Sequence, residues 1–354
     1  LAGATLDPRL LVPRLGPSPA ELLAADLGGE PALLRVEGTS TSWAELEALD
    51  DDERAEVRRF LGHLTALTVG TGPAARELAA PELADAFDLW TTDPAEADRW
   101  VKGFDRAPRA ALAAALLVRG GTTDPWSGLV AESTTYSLLQ AGPEFRQWSE
   151  HHPPPGAHDT GPRVRVERGQ RLWEVVLTRP HRHNALDARM RDELYTALDE
   201  ARSRPDVTVV LRGDGPSFCS GGDLDEFGTA PGPVDAHVVR LTRSLALVMS
   251  DLAPRVVVGL HGACLGAGIE LPAFAQRVVA AEDARIGLPE LDLGLIPGAG
   301  GTVSIPRRAG SAVLLDLLLS GGTVDAGTAL ARGLVDEVVP NDRLRARLLD
   351  LARR

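Results

Sequence analysis

Apolar residues follow two different spacings along the chain, and the change from one to the other divides it. Over the first 150 residues the spacing is helical. Val57, Phe60, Leu61, Leu64 and Leu67 recur three and four positions apart and predict one helix over Asp51–Thr68. Just before it, Ser42-Trp43-Ala44-Glu45 has capping-box form, a hydroxyl and a glutamate three positions apart. The Ala/Leu run Arg109–Val118 stops at Gly120-Gly121, and Leu129–Leu139 and Pro143–Trp148 read as two more helices. Residues 1–150 are therefore expected to form an all-helical N-terminal domain. Its five tryptophans, Trp43, Trp90, Trp100, Trp126 and Trp148, are expected as core and interface anchors.

Residues 151–162 read as a linker. Three consecutive prolines, Pro153 to Pro155, can neither continue a helix nor enter a central strand. From Arg163 to Arg354 strands alternate with helices. Arg163–Glu167 and Leu172–Thr178 flank Gly169-Gln170, a hairpin signal. Asp187 heads an amphipathic helix to Arg202, with Met190, Leu194 and Leu198 on one face. Val207–Leu211 and Arg255–Leu260 read as buried strands, Val234–Leu252 as one long helix, and Arg277–Ala281 and Ala284–Gly287 as further strands. Repeated units of this kind predict an α/β architecture of helices packed on sheets.

Composition narrows the function classes. The 354 residues exceed one ordinary core and fit two domains. A hydrophobic fraction of 44% with 25% charged residues is that of a soluble globular protein. The net charge of −13 repels phosphate backbones, so no nucleic-acid partner is expected. No run approaches the ~18 apolar residues of a membrane span, so no membrane partner is expected either. Two cysteines, Cys219 and Cys264, make no disulfide framework, which points to the cytoplasm. No basic-then-apolar leader opens the sequence as given, although its first residue is Leu1 rather than Met.

Three segments could carry chemistry. Ser217-Phe218-Cys219-Ser220-Gly221-Gly222-Asp223-Leu224 follows a buried strand, and its small residues let backbone N–H groups approach a ligand. His261-Gly262-Ala263-Cys264-Leu265-Gly266-Ala267-Gly268-Ile269-Glu270 runs from a strand into a helix N-terminus, where N–H donors lack partners. Leu288-Pro289-Glu290-Leu291 sets a carboxylate among apolar neighbours, ahead of the Gly-rich turn Pro297-Gly298-Ala299-Gly300-Gly301. Alone, each has a bland reading: a turn, tight packing, a surface or capping glutamate.

Together, in order and spacing, they resemble the crotonase superfamily, also called the enoyl-CoA hydratase/isomerase family. The resemblance covers residues 163–354. It includes Pro180-His181-Arg182-His183-Asn184-Ala185-Leu186 before the first helix and Ala331-Arg332-Gly333-Leu334-Val335-Asp336-Glu337-Val338 near the end. It implies a ββα superhelix of stacked sheets with surrounding helices. It also implies an acyl-CoA substrate, no cofactor beyond the CoA of that substrate, no metal, and a homotrimer or hexamer. The backbone N–H groups of Cys219 and Ala267 match the family's oxyanion hole, although the family usually has glycine at position 267. Glu270 and Glu290 match the two catalytic glutamates of the hydratases, one acting on the water and the other at the α-carbon. Ser220, Gly221, Gly222, Gly266 and Gly268 are expected to line the CoA ester. Asp223 is expected there too, chiefly as a loop-shaping acid. Arg182, between His181 and His183, either reaches the CoA phosphates or belongs to a solvated loop. His261, where hydratases usually carry asparagine, reads as structural.

The leading reading is reversible hydration of a 2-enoyl-CoA, or the related double-bond isomerisation. Two alternatives stand beside it. One is a specialised crotonase such as a cofactor-independent dioxygenase of an aryl-acetyl-CoA. That branch also has a helical N-terminal extension but replaces the glutamates. The other is a non-catalytic acyl-CoA-binding protein, which an idle buried glutamate pair argues against. The family continues past the equivalent of Asn341–Arg354 with helices that cover the acyl pocket. The N-terminal domain is therefore expected to dock there and help close it.

Overall fold

In the computed structural model, which describes residues 4–11, 30–78, 80–152 and 160–353, the N-terminal region is not all-helical. It holds a four-stranded parallel sheet in the order β1 (Ala4–Leu6), β2 (Leu33–Glu37), β3 (Leu67–Thr71), β4 (Leu89–Thr91). Between β2 and β3 lie α1 (Ser40–Glu47) and α2 (Asp51–His63). The helix expected to reach Thr68 ends at His63, and Leu64 is already extended. The reason is burial on both faces. Along β2, Leu33 enters one core while Leu34 and Val36 enter another. A parallel strand buried on both sides reads as a short apolar run without period, so Leu64 and Leu67 fit the helical spacing by coincidence. The capping box also sits elsewhere. Asp50 accepts the Glu53 N–H at 2.9 Å, and the Glu53 carboxylate accepts the Asp50 N–H at 3.1 Å. Thr39, not Ser42, caps α1.

Four helices follow: α3 (Pro94–Arg106), α4 (Pro108–Gly120), α5 (Pro125–Gln140) and α6 (Pro143–His151). Pro at the first position starts each, where its missing N–H costs nothing. Pro153 to Asp159, most of the expected linker, lie outside the described residues. Trp43 and Trp100 are buried as anchors, whereas Trp126 is 43% exposed.

The second half is built of ββα units. Its main sheet has the order β13-β10-β8-β7-β6-β5, formed by β5 (Val164–Arg168), β6 (Leu172–Leu177), β7 (Thr208–Gly213), β8 (Val256–Leu260), β10 (Arg277–Ala281) and β13 (Glu337–Val339). Only the β5–β6 hairpin is antiparallel. A smaller sheet, β12-β11-β9, joins β9 (Ala263–Leu265), β11 (Arg285–Gly287) and β12 (Val324–Asp325). A bridge between Cys219 and Cys264 extends it toward the segment after β7, and one between Leu186 and Gly222 extends it again. Thus β7, β8 and β10 are each followed by an extended piece in the second layer, and the candidate residues sit where chains cross between layers.

The helices of this half are α7 (Ala188–Arg202), α8 (Pro233–Thr242), α9 (Leu245–Leu252), α10 (Ala267–Glu270), α11 (Gly301–Ala309), α12 (Ser311–Ser320), α13 (Ala326–Ala331) and α14 (Leu344–Ala352). Asp187 caps α7 as expected, accepting the Met190 N–H at 2.7 Å. The single helix expected over Val234–Leu252 is two, because Arg243 leaves the helical region and Ser244 caps a new start.

One continuous core joins the halves. It runs from Leu33, Leu67 and Leu89 through Trp100, Phe104, Ala110 and Ala114 to Leu317, Val258 and Trp173. Polar ties cross the same junction: the Trp100 indole N–H donates to Asp316 at 2.7 Å, and Arg106 pairs with Asp292 at 3.0 Å.

Candidate active site

The two glutamates lie on separate turns. Glu270 ends α10, and Glu290 opens the 3-10 turn Glu290–Leu293 that follows β11 of the small sheet. Between them stands Gly266 with φ +51°. A Cβ there would lie 2.7 Å from Oε1 of Glu290 and 3.8 Å from Oε1 of Glu270. Both carboxyl groups therefore reach one point, and glycine is required for geometry and for space alike. They are 2% and 7% exposed.

Their surroundings differ. Oε2 of Glu270 accepts the N–H of Ala299 at 2.7 Å and of Gly301 at 2.9 Å. Oε2 of Glu290 is buried with no hydrogen-bond partner among the described residues. Burial pushes Glu290 up to about 8. Burial also raises Glu270 well above the usual carboxyl range, and the nearby Glu290 and Glu132 add to the rise against its two N–H bonds. The bonds stabilise the anion of Glu270, while the bare oxygen of Glu290 favours its neutral acid.

The oxyanion donors need one correction. The Cys219 N–H is already bonded to the Ala263 carbonyl at 3.2 Å, part of the bridge between second-layer segments. It is not available to a ligand. The Ser220 N–H is likewise bonded to the His183 carbonyl at 3.0 Å. Gly222 is different. The Gly221 carbonyl accepts the Leu186 N–H at 2.8 Å. The peptide that follows is trans, so the Gly222 N–H points away from Leu186. The same reasoning holds for Ala267. The Gly266 carbonyl accepts from Ile269 and Glu270 inside the turn, which aims the Ala267 N–H outward. Gly221, φ +100°, is packed against the next turn: a Cβ there would stand 3.0 Å from the Leu265 carbonyl oxygen and 3.9 Å from Cα of Gly266, so these two turns touch. Gly268 fits against the Cys219 carbonyl, 2.1 Å from where a Cβ would stand. It serves to pack the turns together.

The charged residues expected near CoA are tied into the loop. Asp223, 5% exposed, pairs with buried Arg179 and with Arg182 at 3.2 Å, and it accepts the Asp225 N–H. Arg182 also meets Asp225 at 2.6 Å, with its side chain 42% exposed. Asp223 is the loop-shaping acid, and Arg182 presents an exposed guanidinium beside it. His261 donates to or accepts no catalytic group; its Nε2 lies 3.0 Å from the Gly215 carbonyl. Both thiols are buried, which pushes Cys219 up to about 12 and Cys264 up as well. Among the described residues, no group of three or more His, Cys, Asp and Glu side chains could hold a metal ion.

One acid was not among the sequence candidates. Glu132 of α5 is 2% exposed and accepts the N–H of Gly300 at 2.8 Å, the N–H of Thr302 at 2.9 Å and the Thr302 hydroxyl at 2.7 Å. The ring of Tyr136, one turn on, lies 2.5 Å from where a Cβ on Gly298 would stand. Phe227 lies similarly over Gly222, and Trp148 of α6 meets the Phe227 ring edge-on. The helical region thus reaches both sides of the site.

A family model described as enoyl-CoA hydratase/isomerase matches residues 167–354. A probable enoyl-CoA hydratase of Mycobacterium tuberculosis is 34% identical over 184 residues, 51% of this chain and 70% of that protein. The 2,3-dehydroadipyl-CoA hydratase of Escherichia coli is 33% identical over 199 residues, 53% of this chain and 73% of that protein. The crystal structure of an enoyl-CoA hydratase from Thermoplasma volcanium superposes with a TM-score of 0.50 at 31% identity, covering 55% of this chain and 79% of the other. With the ββα layers, the paired glutamates and these likenesses together, the chain belongs to the enoyl-CoA hydratase/isomerase family of the crotonase superfamily.

Proposed function

We propose that the protein adds water reversibly to the double bond of a 2-enoyl-CoA, or shifts that double bond through the same enolate. The observation that carries this reading is the convergence of Glu270 and Glu290 beside Gly266. The N–H groups of Gly222 and Ala267 are the proposed donors to the thioester oxygen. Glu270, whose Oε2 accepts two N–H bonds, takes a proton from water when it is ionised. The water oxygen bonds to the β-carbon, the double-bond electrons move toward the thioester, and negative charge collects on its oxygen. Preorganised donors stabilise that charge. Glu290, which burial keeps protonated near neutral pH, delivers a proton to the α-carbon. The reverse reaction runs the same transfers backward. No bound group other than the substrate's CoA takes part in this scheme.

Loss of the enoyl-thioester absorbance of crotonyl-CoA measures the reaction. Glu270→Gln and Glu290→Gln are each expected to lower turnover by about a hundredfold or more, with CoA-ester binding much less affected. Near wild-type turnover in either variant removes that glutamate from the scheme. Oxygen uptake with an aryl-acetyl-CoA, or binding of esters without any turnover, would replace the reading altogether. We further propose a cytoplasmic homotrimer or hexamer, closed by symmetry as is usual for soluble oligomers. Light scattering at micromolar concentration checks it, and a monomer there refutes it. Among the described residues, no helix is long and apolar enough to cross a membrane.

A further inference from the structure

The buried face of α5 carries more polar groups than a packing helix needs. Leu129, Glu132, Ser133, Tyr136 and Ser137 are all buried along one stripe. A glutamate sealed in that position is costly unless its oxygens are occupied. Those of Glu132 are, and by a particular set of donors. Four successive N–H groups open α11. Those of Ala299 and Gly301 go to Glu270, and those of Gly300 and Thr302 go to Glu132. The turn is gripped alternately from two sides. Gly300, φ +101°, has no room for a side chain: a Cβ would meet Ala246 at 2.6 Å and Phe274 at 2.7 Å.

We propose that Glu132 is a positioning residue of the active site, supplied by the N-terminal half, which fixes the opening turn of α11 so that alternate N–H groups are presented to Glu270. The consequence for catalysis rests on the acyl-CoA reading above. The family match begins only at residue 167, so this residue lies before the matched segment.

The charged and titratable groups around Glu132 come from several elements. Glu270 and Glu290 face it from the catalytic turns, and Tyr136 from its own helix. From α8, Arg240 lies 4.6 Å over the Tyr136 ring and donates to the Ser133 hydroxyl at 3.1 Å and to Gln140 at 3.2 Å. His237, also of α8, shares the Ser133 hydroxyl at 2.9 Å. Burial pushes Glu132 up to about 7, against the bonds from Thr302 and Gly300 and the charge of Arg240. Near neutral pH the charge on Glu132 therefore changes what Glu270 experiences.

The test uses the full chain with Glu132→Gln, which keeps size and removes charge. Infrared titration of the free protein follows the protonated carboxyl band, and the Glu270 component is the one lost in Glu270→Gln. With its negative neighbour gone, Glu270 should titrate lower by about one pH unit or more. With crotonyl-CoA, kcat should fall about tenfold or more while KM changes less than about threefold, as for an interaction made in the transition state. An unmoved Glu270 titration in the folded variant, or a risen KM with intact kcat, overturns the proposal. If the unmutated protein does not turn over crotonyl-CoA, the hydratase reading fails, yet the infrared arm still decides the role of Glu132. Should Glu132→Gln not fold, Thr302→Val serves. It removes the hydroxyl donor to Glu132, which then keeps its proton to higher pH. Glu270 should again titrate lower, and no shift overturns the proposal.

Discussion

At the scale of single residues, the site is decided by what each carboxyl oxygen touches. Glu270 and Glu290 are both buried, but only Glu270 has N–H partners on Oε2. That difference has a consequence for stability. Burial raises Glu290 in the folded protein from 4.5 to about 8. The folded state therefore holds this proton more tightly than the unfolded chain. The associated stability is fully present below the unfolded value and is lost as pH rises through the folded one. The melting temperature of the protein is thus expected to fall between about pH 5 and about pH 8. In Glu290→Gln, which cannot ionise there, the curve should be flatter over that window. Equal slopes for the two proteins would show that Glu290 is not held protonated.

At the scale of elements, the contact of α3 with α12 sets how closely the two halves approach. Gly103 of α3 lies against the backbone of Leu319, and a Cβ would fall 2.0 Å from that carbonyl oxygen. Backbone cannot step aside as a long side chain can, so the helices must separate. Gly103→Ala is expected to destabilise by about 1–3 kcal/mol, read from the denaturant midpoint. Gly62 of α2 is the control, since a Cβ there meets nothing within 4 Å. Gly62→Ala should be neutral or stabilise by about 0.5–1 kcal/mol through reduced backbone freedom. Equal effects at the two positions would mean that the interface is looser than its geometry requires.

At the scale of the whole molecule, the N-terminal half is packed into the half that carries the family match. Its helices share one core with α11 and α12, and Glu132 satisfies the Gly300 and Thr302 N–H groups. A chain beginning at Gly161 would uncover that apolar face and leave those donors unpaired. Exposed apolar area of this kind and orphaned N–H groups both favour aggregation or local unfolding. The shortened chain is expected to be insoluble, or folded with turnover reduced at least about tenfold, as for loss of a supporting shell. A soluble and fully active fragment would reduce the N-terminal half to an appendage.

The sequence by itself determined the family of the second half. Its motifs are local: small residues at tight turns, a capping aspartate at Asp187, a glutamate three residues past an N–H donor. Local rules need only neighbours in the chain, so the turns that carry Glu270, Glu290 and Ala267 were legible there. The N-terminal strands were not, because strands of three to five residues buried on both faces leave no alternation to detect. Cys219 failed as an oxyanion donor for a related reason. Which N–H of a turn is free depends on the carbonyl it meets across the small sheet, here Ala263, and not on residue type. Glu132 left one signal that could have been followed, a charged residue on the buried stripe that also holds Leu129 and Tyr136. Its partners lie 168 and 170 positions away, however. Only tertiary packing brings α5 onto the opening turn of α11, because hydrogen bonds at that separation are specified by the shared core and not by any pattern along the chain.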